Sequence, residues 1–173
     1  MGEEQLSREI AKAITVHRKN KKIEKTGELT EIILNTYREK LHSEKEIPWI
    51  GGLHPATKVF QALRIEVNHE LENLKLALPQ AVEILASGGR LAVITFHSLE
   101  DRIVKQYFKS IENKQSLKLR QGSKEENWFS SLLTSSNYRQ IKLINKKPII
   151  ASEVELEANP RASSAKLRVV EKI

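Results

Sequence analysis

Residues 88–105 read Gly88-Gly-Arg-Leu-Ala-Val-Ile-Thr-Phe-His-Ser-Leu-Glu-Asp-Arg-Ile-Val-Lys105, and this stretch decides the fold class. The paired glycines make a turn that feeds a short apolar strand, Leu91 to Phe96. The strand is apolar on both faces, as a central strand of a parallel sheet is. It stops at the polar corner His97-Ser98, and a helix is expected at once over 99–109. Leu99, Ile103, Val104, Tyr107 and Phe108 form that helix's inward face, with Arg102, Lys105 and Lys109 opposite. Ser98 is placed to cap the helix, with Asp101 three positions on to answer it. In open α/β sheets chemistry gathers at the carboxyl ends of strands, and His97 stands at such an end. The local pattern leaves two readings open: a corner that only satisfies backbone groups, or a functional corner.

Working back from this stretch, a long helix is expected from Ala56, entered through Pro55. Phe60, Leu63, Val67, Leu71, Leu74 and Leu78 step by three and four and draw one apolar stripe. Pro79 is expected to break it, with a short fresh helix carrying Val82, Ile84 and Leu85 up to Gly88. Residues 37–53 read as a linker holding Pro48, Trp49 and Gly51-Gly52, with Trp49 as core or hinge packing or a base-stacking surface. Further upstream, 3–18 reads as an amphipathic helix with Leu6, Ile10, Ala13 and Ile14 on one face. A basic cluster follows, from His17 and Arg18 to Lys25, and Thr26 can cap a second short helix with Leu29, Ile32 and Ile33.

Downstream, 111–137 is polar and reads as a loop or variable insertion anchored by Trp128, Phe129, Leu132 and Leu133. Segments 138–145 and 165–171 alternate through Ile141, Leu143, Leu167 and Val169 and pair as an antiparallel couple. Ser152 with Glu155 spells a capping box for one short helical turn.

The chain has 173 residues, 39% of them apolar, and a net charge of +7. That suits a soluble protein with a polyanionic partner, or an ordinary basic surface. The absence of cysteine excludes disulfide and thiolate chemistry. No apolar run approaches the roughly 20 residues of a membrane span, so the expected location is the cytoplasm, with no membrane partner. The histidines are scattered without a carboxylate in register, so no metal site is expected.

Three stretches carry a resemblance: His54-Pro-Ala-Thr-Lys-Val-Phe-Gln-Ala-Leu-Arg-Ile-Glu-Val-Asn68, Phe96-His-Ser-Leu-Glu-Asp-Arg102, and Asn159-Pro-Arg-Ala-Ser-Ser-Ala-Lys-Leu-Arg168. In this order they closely resemble the bacterial 16S rRNA small-subunit methyltransferase H family. The resemblance runs from about Gly2 to the end and is weakest between Ile111 and Asn137. Lys58 and Ser163 stand where the family usually has arginine, and His69 where an acid is common. The resemblance implies S-adenosylmethionine-dependent methylation of the exocyclic N4 of a decoding-region cytidine, with 16S rRNA and the small ribosomal subunit as partner.

A family member is expected to open with a glycine-rich strand–loop–helix unit and a ribose-binding acid, which this sequence does not supply. Gly51-Gly52 precedes a His-Pro step, and Gly88-Gly89 comes before its strand. The expected fold is therefore α/β: the C-terminal half of a Rossmann-like class I methyltransferase sheet, preceded by part of a helical insertion domain. The expected division is 1–52 for the insertion remainder and linker, and 53–173 for the methyltransferase half. No bound cofactor is expected for this chain alone, and no catalytic residue is assigned.

Substrate-side candidates remain. His97 and Ser98 take the functional corner in light of the resemblance. His54 faces the same cleft or caps the long helix. Arg64 and Asn68, four apart, look toward a pocket or form a structural pair. Arg161 binds RNA phosphate or locks its Asn-Pro turn to carbonyls. Lys19, Lys21 and Lys22 contact phosphate or line a solvated turn. Three assignments stay open: a methyltransferase fragment, a non-catalytic RNA-binding remnant, or one subunit of a split enzyme. Candidate protein partners are a separate N-terminal half, or a second copy joined through an exposed sheet edge.

Overall fold

The computed structural model describes residues 4–42, 54–112 and 141–173. Trp49, Gly51-Gly52, the linker from 43 on, the insertion after Glu112 with its Trp128 anchor, and residues 138–140 lie outside the described residues. Packing divides the chain into two compact units, Met1–Glu70 and Leu71–Ile173. The expectation put the division at 52/53. The start of the helix that follows residue 53 packs with the helices before it.

The first unit holds α1 (Ser7–Asn20), α2 (Thr26–Leu41) and α3 (Thr57–Val67). Ile10, Ile33, Tyr37, Ala56 and Val59 form its buried core, with Leu6, Ile14, Leu29 and Phe60 against it. The α1 face is the one expected. The second helix, by contrast, is four turns long and takes in residues 37–41 of the expected linker. Tyr37 is buried and its hydroxyl donates to Glu4 Oε1 at 2.5 Å, which ties α2 to the segment that leads into α1. Thr26 is not the cap. It is the first helical residue, and Glu28 does the capping by accepting the backbone N–H groups of Glu24 (2.9 Å) and Lys25 (3.2 Å).

The expected long helix breaks ten residues before Pro79. Asn68 ends α3, His69 turns through a left-handed φ of 51°, and α4 (Glu70–Ile84) starts immediately. Pro79 sits inside α4. Proline removes one N–H donor there. Leu78 and Val82 on either side of it are 3% and 4% exposed, so tertiary packing holds the turn that propensity opposes. The drawn stripe also fails upstream of the break: Leu63 and Val67 are exposed, and Val59 and Ile65 are buried instead.

The second unit sets α4 and α5 (Ser98–Glu112) against a three-stranded sheet. Its strands are β1 (Arg90–Thr95), β2 (Ile141–Leu143) and β3 (Lys166–Lys172), in the order β1-β3-β2. Both pairings are antiparallel, so the expected couple forms, and it closes on one side of β1. Between β2 and β3 lie α6 (Glu153–Ala158), capped by Ser152 Oγ on Glu155 N at 3.2 Å, and a 3₁₀ turn, Pro160–Ser164. Asn145 extends the ladder past the end of β2. Its amide donates to Leu167 O at 3.0 Å and its Oδ1 accepts Val169 N at 2.7 Å.

The core joins Leu78 and Val82 of α4, Val104, Tyr107, Phe108 and Ile111 of α5, Ile141 and Val170. Burial of each large apolar side chain contributes about 1.5–3 kcal/mol. Leu91 and Val93 turn to this core, while Ala92 and Ile94 alternate to the other face opposite Val169 and Leu167. That second face is poorly covered: Ile94 is 58% exposed, and the adjoining Phe96 and Ile149 are exposed as well. Among the described residues nothing pairs with the other edge of β1. No described helix is long and apolar enough to cross a membrane.

Candidate functional site

The β1–α5 corner is built by a reciprocal cap placed one residue earlier than expected. Glu100 Oε2 accepts the backbone N–H groups of Phe96 (2.9 Å) and His97 (3.3 Å). His97 Nδ1 in turn accepts Glu100 N at 3.4 Å. The box is thus His97 with Glu100, not Ser98 with Asp101. Ser98 becomes the first residue of α5 and is exposed. His97 Nε2 is buried without a hydrogen-bond partner, 3.4 Å from Glu100 Oε1. The imidazole therefore spends one nitrogen on the helix N-terminus and keeps the other at the carboxyl end of the strand.

Asp101 is released from capping and reaches across to β3. Arg168 donates to it twice, from Nε at 2.7 Å and from a terminal nitrogen at 3.1 Å, and Lys166 Nζ stands 3.8 Å away. The hydrogen bonds from Arg168 hold the Asp101 carboxyl below its ordinary range, against a smaller opposing effect of burial. This pair clamps α5 to the sheet directly beneath the corner.

The remaining candidates mostly take structural positions. His54 Nδ1 accepts Ala56 N at 3.1 Å, so His54 shapes the entry to α3. Arg64 donates to both Glu70 oxygens (2.8 and 3.1 Å), and the Asn68 amide reaches Glu70 Oε1 at 3.4 Å. These residues bridge the break between α3 and α4. Lys21 pairs with Glu28 at 2.7 Å and Lys22 with Glu24 at 3.5 Å, while Lys19 is exposed. Lys21 and the adjacent backbone N–H groups pull the Glu28 carboxyl down to about 2. Arg161 is exposed, and no described residue pairs with it. Its turn is closed by backbone bonds, Ala162 N to Asn159 O at 3.0 Å and Ala165 N to Ala162 O at 2.9 Å, so the expected side-chain lock is absent. A groove runs between α1 and α2. It encloses about 630 Å³ between Glu9, Lys12, Val16, His17, Asn35 and Lys40, and contains none of the nominated residues.

The described glycines do not fit a nucleotide cradle. Gly88 turns through a φ of +77° ahead of β1, where its N–H donates to Lys172 O at 2.7 Å. A Cβ on Gly89 would meet Ala86 O at 2.9 Å, so Gly89 is needed for a close backbone approach within the turn. Gly27 lies in the first turn of α2.

The whole sequence, residues 1–173, matches the MraW methylase family. The chain belongs to that family. It is 44% identical over 99% of its length to a ribosomal RNA small subunit methyltransferase H from Clostridioides difficile, of which it covers 50%. It is equally similar, 44% over 99%, to the protein of the same name from Fusobacterium nucleatum, of which it covers 49%. The chain thus spans about half the length of the curated relatives it matches.

In this MraW-family chain the sequence did not reveal two residues of β3 that tie the helices to the sheet, Arg168 to α5 and Lys172 to the end of α4. Arg168 and Lys172 are 7% and 2% exposed. Lys172 Nζ donates to the carbonyls of Val82 (3.0 Å), Glu83 (2.7 Å) and Leu85, capping the carboxyl end of α4. The alternation of β3 marked Leu167 and Val169 as its apolar residues. The face toward α5 instead carries Arg168, Val170 and Lys172. The one available signal was that 166–172 places its three cations, Lys166, Arg168 and Lys172, on one face of the strand.

Proposed function

We propose that this chain is the C-terminal part of an S-adenosylmethionine-dependent methyltransferase acting on the exocyclic N4 of a cytidine in the decoding region of 16S rRNA. The observation that carries the reading is the match to the MraW methylase family along the entire chain. The cofactor-binding half lies in the part of the relatives that this chain does not span. Methyl transfer to an amine needs alignment above all, and the chain's contribution is to position the base. The His97–Glu100 box fixes the corner at the carboxyl end of β1, so that His97 and Ser98 border the substrate cleft. Arg161 supplies an exposed cation in the same unit, and His54, Arg64 and Asn68 hold the ends of α3 in the helical unit. The partner half joins at the open edge of β1 and over the bare face of Ala92, Ile94, Leu167 and Val169. Alone, the chain is inactive.

The test mixes this chain with the complementary half of the Clostridioides difficile relative, labelled S-adenosylmethionine and unmodified small ribosomal subunits. Label should enter the decoding region only when both parts are present. A stable complex of the two halves that transfers no methyl group supports the RNA-binding remnant instead. Saturable micromolar binding of S-adenosylmethionine to the chain alone overturns the fragment reading.

A further inference from the structure

We propose that the solvent face of α1 is a phosphate-tracking surface for RNA, carried by Arg8, Lys12 and Lys19. This rests on the RNA reading above and assigns it residues. Positions 8, 12, 15 and 19 step by four, three and four and share one face of the helix. Arg8 and Lys12 each lie two residues from buried Ile10, so the stripe lies on the side of α1 opposite that residue, with Lys12 at the rim of the α1–α2 groove. Arg8, Lys12 and Lys19 are all exposed. Thr15, between them, is turned back onto its own helix, with Oγ1 donating to Ala11 O at 2.7 Å. The stripe therefore carries no acid. From Arg8 to Lys19 it runs about 16 Å along the axis, enough to follow several phosphates of one strand.

Ordinary surface chemistry does not account for it. Cations in the last turn, such as Lys19, complement the helix dipole, but Arg8 stands near the first turn, where positive charge opposes it. Nor is the stripe balanced by neighbours. The only acid of α1, Glu9, pairs with Lys40 of α2 at 3.4 Å, and Glu4 accepts the Tyr37 hydroxyl and Leu6 N. Among the described residues no carboxylate pairs with Arg8, Lys12 or Lys19. The solvent side of α2 is different, because it mixes signs and pairs them, as Arg38 and Glu31 do at 2.7 Å. The same logic removes Lys21 and Lys22, which hold Glu28 and Glu24. Of the three lysines the sequence singles out, only Lys19 belongs to the surface.

The experiment measures affinity of the full chain for a decoding-region RNA hairpin across a salt series. Arg8→Gln, Lys12→Gln and Lys19→Gln together should flatten the slope of log affinity against log salt by about 2–3, at 0.7–0.9 per lost contact. Arg8→Lys, Lys12→Arg and Lys19→Arg together should keep the slope, and Lys21→Gln with Lys22→Gln should change it by less than one contact's worth. Glutamine is a good helix former, and circular dichroism checks that α1 persists. RNA binding with an unchanged slope in the first variant overturns the stripe alone. No RNA binding by the unsubstituted chain overturns the RNA reading on which it rests.

Discussion

The polar contacts of the first unit are mostly local, and those of the second are not. Lys21–Glu28, Arg38–Glu31 and Arg64–Glu70 span seven, seven and six residues. Arg168–Asp101, Arg90–Glu171 and Lys172–Val82 span 67, 81 and 90. Tyr37–Glu4, across 33 residues, and Lys40–Glu9 are the helical unit's exceptions. The local pairs decorate helices that apolar periodicity already defines. The distant ones are what join α4, α5 and the sheet into one body. The difference teaches where stability is concentrated, and three substitutions measure it.

Asp101→Ala should have the largest effect. It leaves Arg168 buried without its carboxylate, and breaking such a pair from one side costs about 3 kcal/mol or more. Chemical denaturation followed by hydrogen exchange in 90–112 should show the second unit weakened. A loss no larger than a surface substitution gives would dissolve the contrast. The same pair predicts acid lability. The folded Asp101 carboxyl titrates below its ordinary value near 3.8, so its contribution is present above about pH 4 and is lost as pH falls through the lower folded value. Asp101→Asn should flatten that acid limb.

Lys172→Ala comes next. Three carbonyls at the end of α4 lose their donor, for a cost of about 2 kcal/mol. Amides of 80–86 should exchange faster while those of α1 and α2 stay protected. Equal acceleration in both units would mean that Lys172 acts globally rather than as a cap.

Arg38→Ala should cost least, under about 1 kcal/mol, since its pair with Glu31 is solvated. A larger loss on thermal melting would show that the local pairs matter after all.

The same contrast explains what the sequence made legible. The inward face of α1, the β1 strand, α5 and the antiparallel couple all follow from spacing that a linear pattern displays. Three readings went astray where a distant or unusual partner intervenes. Pro79 gives the loudest local signal for a break, yet packing around Leu78 and Val82 carries α4 through it, and Asn68-His69 breaks the chain instead. The corner's cap was read from Ser98 because serine is a common capping residue; histidine is not, and His97 Nδ1 does the accepting. The alternation of 165–171 singled out Leu167 and Val169, and Arg168 and Lys172 were passed over because their acceptors are set by tertiary structure. The corner at the end of β1 was legible as a strand–helix junction, but its capping roles were not. His54, Arg64 and Asn68 turned out to hold helix ends, and Lys21 and Lys22 to neutralise acids.

The position of β3 sets the order in which the second unit can be assembled during synthesis. Strand β1, helix α4 and helix α5 emerge from the ribosome long before residues 166–172. Until those residues appear, β1 lacks its described partner, Asp101 lacks Arg168, and the end of α4 lacks Lys172. The helical unit, which ends at Glu70, can be complete while the sheet still waits. On ribosome-arrested chains, protease resistance should therefore appear first in 4–70, and in 90–112 only after residue 172 has cleared the exit tunnel.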